Sequence, residues 1–369
     1  MKQPTAKTVR PKSARSQADS PRPQASKPSA SARRGMPAAP VTLEQVALAA
    51  GVSPSTVSRI LNGTAVVSAE KKAAVDAAIA NLGFVPNPVA RGLAGGRTLS
   101  IGVVALSIDS PFYGVAMRGI EDELDRAGYS PLFVSGHWNV DEEARCIDLL
   151  KARRVDGIIL LTGRMGDAAL RAHARSLPLV VTGRSLKAPG LYALSFNDVE
   201  GARMATQHLI DQGHRRIAFL GGDPDHTDAG ARQQGYLDAL VASGLTPDTG
   251  LMVQGDYHEA GGALAMERLL HGRKRFTAVF AANDQMAFGA LLSLHRRGLR
   301  VPEDVSVVGY DDLASAQFMI PPLTTVHQAG YEMGQIAATS MLALLAGIKP
   351  TLQLQPPRLV LRESTRRID

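Results

Sequence analysis

The sequence predicts an all-α helix-turn-helix head joined to a larger α/β domain that is built on parallel sheets. The first observation is that residues 41–84 have the capping residues, turn glycine and apolar spacing of three short helices. The second is that short apolar runs alternate with helical segments from residue 99 onward, which is typical of parallel sheets covered by helices. The length of 369 residues fits two or three domains.

The positive charge is concentrated at the beginning of the chain. Residues 1–40 contain nine Lys or Arg and one Asp, whereas the whole chain has a formal net charge of +7. The segment is rich in Pro, Ser and Ala and has no apolar periodicity, so we expect a disordered basic tail. Such a tail is either inert or attracted to a polyanion such as nucleic acid.

The composition also indicates the compartment. No apolar run reaches the roughly 18 residues of a membrane span, and no signal peptide opens the chain, so a cytoplasmic, nucleoid-associated protein is expected. The single cysteine, Cys146, excludes an internal disulfide and is expected in the core.

The first two helices are predicted from their caps. Thr42 caps the first helix and forms a capping box with Gln45. Gly51 ends this helix, because glycine adopts the left-handed turn without a steric cost. Ser53 caps the second helix, and Pro54 takes its first position, where no N–H is needed.

The third helix is expected to begin after Ser68 and to turn Val75, Ala78, Ile79 and Leu82 inward. Two helices joined by a tight turn form a helix-turn-helix, whose second helix fits the DNA major groove. An ordinary small helical bundle on a larger protein is the alternative.

Three stretches decide between these alternatives. They read GVSPSTVSRILNG, then VSAEK, then GFVPNPVARGLAGGRT, and together span residues 51–98. In these three stretches the chain resembles the lac-repressor family of bacterial transcription regulators, and the resemblance extends from Val41 to about Glu363. It implies a helix-turn-helix DNA-binding domain at 41–84, a hinge helix or linker at 85–97, and an effector-binding and dimerisation domain at 98–369.

The resemblance assigns DNA contacts to the first domain. Matched position by position, the base-reading candidates are Pro54, Ser55 and Arg59, of which Arg59 can bond bidentately to guanine. Pro54 differs from what the family has at this base-reading position, because proline has no hydrogen-bond donor and can make only apolar contacts. The candidates for phosphate contacts are Thr42, Ser53, Thr56, Ser58 and Asn62.

The segment after the head is short and rich in Pro and Gly. Asn87 can cap a helix of about two turns, which is too short to be stable alone. The resemblance implies that this hinge helix folds on DNA, with Leu93 as an apolar wedge in the minor groove. A plain linker is the alternative.

Seven apolar runs are predicted to be strands of the larger domain. Ligands of such sheets bind beyond the carboxyl ends of the strands. The resemblance implies the two-lobed fold shared with periplasmic sugar-binding proteins, with lobe one at about 99–195 plus 325–369 and lobe two at about 196–322. The runs are Ile101–Leu106, Leu132–Val134, Gly157–Leu161, Leu179–Thr182, Ile217–Leu220, Ala278–Ala281 and Val305–Gly309.

Side chains that suit a small-molecule ligand follow these runs. Each has a plainer structural interpretation as a cap or a core residue. The resemblance adds that Arg232 and Asp311 would together bond neighbouring hydroxyls, since one donates and the other accepts. The candidate ligand-binding residues are Phe112, Tyr113, Trp138, His226, Asp228, Arg232, Tyr257, Asn283 and Asp311.

Two differences from the residues found in other family members restrict the class of ligand that the chain is expected to bind. His226 and Asp228 replace the Arg and Thr that hold a purine in the purine-repressor branch, which argues against a purine. Gly183 and Arg184 stand where many members have an acidic residue followed by Arg, so one expected hydroxyl acceptor is missing. A sugar or sugar derivative is expected. No leucine heptad follows Val360, so the resemblance implies a homodimer on double-stranded operator DNA.

The expected function is therefore a transcription regulator, most simply a repressor, whose DNA affinity is switched by a small metabolite. A sugar-binding transport receptor explains residues 99–369 but not 41–97. An α/β enzyme is the third possibility, but the sequence has no GxGxxG after the first strand, P-loop, GxSxG or zinc spacing. We expect no catalytic set, metal or cofactor, since His137, His226, His258 and His327 are scattered.

Overall fold

The computed structural model describes residues 41–61, 67–84, 97–161 and 163–369. They fall into two compact units that divide between Val85 and Pro86. The predictions for the tail at 1–40, and for Asn62, Asn87 and Leu93, lie outside the described residues. Within the described ranges, no helix is both long enough and apolar enough to cross a membrane.

The first unit contains three helices: α1 (Leu43–Ala49), α2 (Pro54–Leu61) and α3 (Ala69–Leu82). The capping box between Thr42 and Gln45 is formed, and Gly51 has a φ of 65° between α1 and α2. Ser53 Oγ accepts a hydrogen bond from the backbone N–H of Thr56 at 3.2 Å, which caps α2. The caps predicted for these helices are therefore confirmed.

The core of this unit differs from the prediction at one residue. Val75 and Ala78 are buried as expected, whereas Leu82 is 38% exposed. Gly83, with a φ of 63°, turns the chain at the end of α3, and the N–H of Phe84 then donates to the carbonyl of Ile79 at 3.1 Å. This turn buries Phe84 in the core instead of Leu82.

Lobe one of the second unit is a five-stranded parallel sheet with the strand order β2-β1-β3-β4-β5. Its central strands β1, β3 and β4 are buried because helices cover the sheet. Helices α4 and α11 pack against each other, so a helix from the end of the chain completes this lobe. The elements are β1 (Ser100–Ala105), α4 (Pro111–Arg126), β2 (Ser130–Ser135), α5 (Val140–Ala152), β3 (Gly157–Leu161), α6 (Asp167–Ala174), β4 (Leu179–Thr182), β5 (Leu191–Leu194) and α11 (Gly330–Leu345).

Lobe two is a four-stranded parallel sheet with the order β7-β6-β8-β9. Its helices pack in pairs, α7 with α8 and α9 with α10. The elements are α7 (Asp198–Asp211), β6 (Ile217–Gly221), α8 (Thr227–Ala242), β7 (Met252–Gln254), α9 (Glu259–His271), β8 (Ala278–Ala281), α10 (Asp284–Arg296) and β9 (Ser306–Val308).

All seven predicted apolar runs coincide with strands, and the prediction of parallel sheets is confirmed. The strands without a matching run are β5, β7, β10 (Thr325–His327) and β11 (Arg358–Val360). They have three or four residues each, and β10 pairs with β11 in a separate antiparallel ladder. Unlike the equally short β4, β8 and β9, these strands are only partly buried or carry polar residues, so their apolar signal is weaker.

The chain passes between the lobes three times: between β5 and α7, between β9 and α11, and between α11 and the final residues. The expected placement of 325–369 in lobe one is wrong at both ends of this range, since Val326 and Leu359 pack in the core of lobe two. The carbonyl of Ser364 accepts from Val307 N–H at 2.8 Å, and Ile368 N–H donates to the carbonyl of Gln212 at 2.8 Å. The final residues are thus bonded to β9 and to the end of α7, in lobe two.

Candidate functional site

The outer surface of α2 carries the residues predicted to contact DNA. Pro54, Ser55 and Arg59 are exposed, whereas Thr56 and Ser58 are half-buried. The Ser53 hydroxyl lies 2.9 Å from that of Ser55 and 2.8 Å from that of Thr56, so the three hydroxyls form one group at the beginning of the helix. Thr42 is exposed at the beginning of α1. Among the described residues of this unit, Thr42, Ser53, Pro54, Ser55 and Arg59 are therefore the exposed members of the predicted set.

A cleft between the lobes of the second unit brings all nine predicted ligand residues together. The space between its walls, counted together with its solvent-open mouth, is about 680 Å³. Lobe one supplies Phe112, Tyr113 and Trp138 from the carboxyl ends of β1 and β2. Lobe two supplies the other six: His226, Asp228, Arg232, Tyr257, Asn283 and Asp311.

Arg232 is the centre of the cleft and is only 3% exposed. Its Nε donates to Asp198 Oδ1 at 2.9 Å, its Nη1 to the carbonyl of Ala282 at 2.6 Å, and its Nη2 to Gln328 Oε1 at 3.2 Å. The guanidinium carbon lies 4.0 Å from the ring centroid of Tyr310. A buried cation needs such partners, because leaving it unpaired away from water is costly.

Three carboxyl groups surround this guanidinium. Besides Asp198, Asp228 Oδ2 lies 3.5 Å from Nη2 and Asp311 Oδ1 lies 3.6 Å from Nη1. Burial raises the pKa of Asp198 and of Asp311, and the positive charge of Arg232 opposes this rise. Burial alone would lower the pKa of Arg232, but Asp198 and its neighbours raise it well above its usual value, so Arg232 stays charged.

An aromatic contact joins the lobes across the cleft. Trp138 of lobe one stacks on His226 of lobe two, with ring centroids 3.7 Å apart. Burial lowers the pKa of His226 to about 4, although Asp223 raises it, so the imidazole is neutral at pH 7. A neutral ring can stack on the indole without bringing an uncompensated charge into the cleft.

A polar bridge supports this contact. Arg164, on the β3–α6 loop of lobe one, donates from Nη1 to the carbonyl of Trp138 at 2.9 Å and pairs through Nη2 with Asp223 and Asp225 of lobe two. Buried Glu143 holds the loop by accepting the backbone N–H of Arg164 at 2.9 Å. Arg164 therefore fixes the backbone of the stacked tryptophan and the turn before the histidine.

Several cleft residues have unusual backbone conformations. Trp138, Tyr257 and Asp311 have φ values of 56°, 68° and 110°, a region that side chains other than glycine rarely adopt. Each such residue costs on the order of 1–3 kcal/mol and persists only where its surroundings require it. The three residues lie at different strand ends, so the surrounding fold holds them in the cleft at a cost in stability.

Asp198 and Gln328 line the cleft but were missed in the sequence. Asp198 begins α7 directly after β5, and an aspartate at a helix start usually signals a cap. Because β5 was not recognised, nothing indicated that Asp198 follows a strand end. Arg184, which follows Gly183, is turned away from the cleft and donates to the carbonyls of Met165 and Gly163.

The loop that carries Asp311 rests on a buried carboxyl group, Asp284. Its Oδ2 accepts from Leu313 N–H at 2.8 Å, its Oδ1 accepts from the Thr325 hydroxyl at 2.6 Å, and its own N–H donates to the carbonyl of Tyr310 at 2.7 Å. Burial raises the pKa of Asp284 to about 7, although the Thr325 hydrogen bond lowers it.

This pKa gives a testable pH dependence. A native pKa raised from about 4 to about 7 means that folding takes up a proton between these values, so the free energy of unfolding falls by up to about 4 kcal/mol as pH rises through this range. Asp284→Asn has no such titration, so its stability relative to wild type should rise with pH. Urea unfolding at pH 5, 6 and 7 measures this difference, with exposed Asp238→Asn as the control. A difference that stays constant with pH would contradict the assignment.

Comparison with known families supports both units. Residues 42–87 match the model described as bacterial regulatory proteins, lacI family. Residues 206–365 match the model of a periplasmic binding protein-like domain. The two matched regions lie in the two units that the fold defines.

Curated relatives extend over nearly the whole chain. The HTH-type transcriptional repressor PurR of Proteus mirabilis (strain HI4320) is 36% identical, over 88% of this chain and 96% of that protein. The ribose operon repressor of Escherichia coli (strain K12) is 38% identical, over 85% of this chain and 95% of that protein. Both relatives are named as repressors and not as enzymes.

A solved structure shares the fold. The lac repressor dimer bound to operator and the anti-inducer ONPF superposes with a TM-score of 0.81 at 33% identity, covering 89% of this chain and 99% of that chain. The motifs, the two-lobed architecture and these near full-length relatives agree. The chain belongs to the lacI family of bacterial regulatory proteins.

Proposed function

We propose that this protein is a transcription repressor whose affinity for operator DNA is switched by a small metabolite bound between the two lobes. The observation that carries the proposal is that one chain combines a helix-turn-helix with an exposed second helix and a cleft that gathers polar and aromatic side chains from both lobes. We place it in the cytoplasm, on the nucleoid.

The DNA-binding role is assigned to the exposed side of α2. Ser55 and Arg59 are the base-reading candidates, and the Ser53 hydroxyl group at the beginning of the helix is suited to phosphate oxygens. A relative in this family is a dimer on its operator. We propose a homodimer here as well, since two copies of α2 related by a two-fold axis match a palindromic site.

The switch is assigned to the angle between the lobes. Trp138, Arg164 and Gly183 of lobe one contact the turn at 223–227 of lobe two, so protein contacts join the lobes directly across the cleft. A ligand that favours one angle shifts the population of that angle. If DNA favours one angle too, ligand and operator must affect each other's binding by the same factor. Whether the ligand releases or recruits DNA depends on whether both favour the same angle.

An operator selected from genomic fragments tests the proposal. We expect the intact protein to shift a palindromic duplex in a gel, with a dissociation constant at least about 1,000-fold lower than for unrelated DNA. A screen of sugars, nucleosides and nucleobases by thermal shift then finds the ligand, which must change the gel shift. A chain that binds a sugar but prefers no duplex would instead be a sugar-binding receptor, the alternative that leaves residues 41–84 unexplained.

A further inference from the structure

The charges that line the cleft are unbalanced. Arg232 is the one Lys or Arg among the described residues that line it, and it faces the carboxyl groups of Asp198, Asp228 and Asp311. Stacked His226 is neutral at pH 7 and adds no positive charge. Three carboxyl groups therefore face one guanidinium around whatever binds here, with the imidazoles of His226 and His258 as the other nitrogen-bearing basic side chains.

The one arginine also has few donors left. Asp198, the carbonyl of Ala282 and Gln328 each receive one of its N–H groups. The remaining two N–H groups, on Nη1 and Nη2, lie near Asp311 and Asp228. A phosphate or carboxylate would have to compete with these side chains for a guanidinium that is already paired.

Arg164, beside the contact between Trp138 and His226, is also paired with protein groups. Its guanidinium donates to the carbonyl of Trp138 and forms ion pairs with Asp223 and Asp225. The N-terminus of α8 is near the cleft and would by itself favour an anion, because helix N-termini carry a partial positive charge. Asp228, however, lies in the first turn of that helix and places its own negative charge there.

Three buried polar atoms of the cleft have no hydrogen-bond partner: Tyr257 Oη, Trp138 Nε1 and Asp228 Oδ1. Tyr257 is only 8% exposed, so its hydroxyl group has little access to bulk water. Orphaned polar atoms in a ligand cleft are costly unless a ligand or an ordered water satisfies them. This set offers an indole donor, a phenol that donates or accepts, and a carboxylate acceptor, which suits hydroxyl groups.

We propose that Asp228 selects the ligand by charge: its free oxygen accepts a hydroxyl group of an uncharged polyhydroxy ring, and its negative charge makes the cleft reject phosphorylated or carboxylated ligands. This proposal rests on the proposed function, since it concerns the ligand of the same cleft. A hydrogen bond from a hydroxyl group to a charged carboxylate is stronger than one between neutral groups. A phosphate or carboxylate placed at hydrogen-bond distance from Asp228 would instead be repelled strongly, because both groups are anions in a buried site.

Matched pairs of probes test this inference on the intact protein. Calorimetry at pH 7.5 compares D-ribose with D-ribose 5-phosphate, and D-glucose with D-glucose 6-phosphate. In each pair that binds, the free sugar should bind at least about ten-fold more tightly than its phosphate. Asp228→Asn keeps the shape and removes the charge. It should weaken free-sugar binding about ten-fold and reduce the preference over the phosphate at least ten-fold.

The control is Asp238→Asn, on the exposed surface of the same helix, which changes the net charge equally without touching the cleft. It should leave both affinities unchanged. Tighter binding of a phosphorylated sugar by the wild type, or an unchanged preference in Asp228→Asn, would overturn the inference. An anionic ligand that still altered operator binding would leave the repressor function standing, so the two proposals can fail separately.

Discussion

Replacing Arg232 with alanine is expected to abolish ligand binding and to lower the free energy of unfolding of the second unit by about 3–5 kcal/mol. The loss arises because buried Asp198 and Asp311, with half-buried Asp228 beside them, remain without the cation that compensates them. Losing the contact between the guanidinium and Tyr310 adds to it. Denaturant unfolding followed by the Trp138 fluorescence, together with calorimetry for the ligand, measures both effects.

Arg232→Lys separates binding from folding. Lysine retains the positive charge but lacks the planar fork, so it cannot donate to Asp198, Ala282 and Gln328 at once. We expect this variant to fold and to bind ligand at least about ten-fold more weakly, because the cleft side chains that Arg232 positions lose part of their hydrogen bonding. Arg203→Ala, which removes an exposed arginine that pairs with Glu200, is the matched control. Undiminished ligand affinity in Arg232→Lys would show that the ligand lies elsewhere.

Replacing Arg59 with alanine is expected to lower operator affinity about a hundred-fold or more while leaving nonspecific DNA binding nearly unchanged. Each bidentate contact between arginine and guanine contributes about 1–3 kcal/mol of discrimination, and a dimer would make two. Arg59 is exposed on α2, so its removal leaves the core around Val57 intact. Fluorescence anisotropy with operator and with unrelated DNA measures the two affinities.

The salt dependence distinguishes the role of Arg59 from a phosphate contact. A lost phosphate contact weakens binding to all sequences alike and reduces the salt slope by about one for each contact. A lost base contact weakens operator binding selectively. Equal loss on both kinds of DNA would therefore contradict the base-reading role. Arg203→Ala serves again as the control of equal charge.

The sequence predicted those parts of the fold that depend on local patterns. The caps at Thr42 and Ser53 and the seven apolar runs are local signals, and the structure reproduces them. Leu82 was placed wrongly because a left-handed turn at Gly83 exchanges it for Phe84, which the helical period cannot show. The final residues were misplaced because their hydrogen bonds to lobe two join positions far apart in the chain.

Nine residues of the candidate site could be predicted, but Asp198, Gln328 and the arrangement of the side chains could not. All nine predicted ligand residues line one cleft, because residues at the carboxyl ends of parallel strands meet at one edge of a sheet. The pairing of Arg232 with Asp198, and the bridge from Arg164 to Asp223 and Asp225, depend on how two lobes face each other. Neither contact has a local signature in the sequence.

The three passages of the chain between the lobes limit how the second unit can deform. Because three connections join the lobes, the lobes cannot separate. They can still rotate relative to each other about a hinge axis that runs through the connections. The six residues of β1 place its first residue on the order of 20 Å from the cleft edge. Leu99, through which the first unit is attached, sits at the far end of this lever arm, so a swing of about 10° would carry it roughly 3 Å. A ligand that favours one angle of this swing would thereby move the point at which the chain enters lobe one.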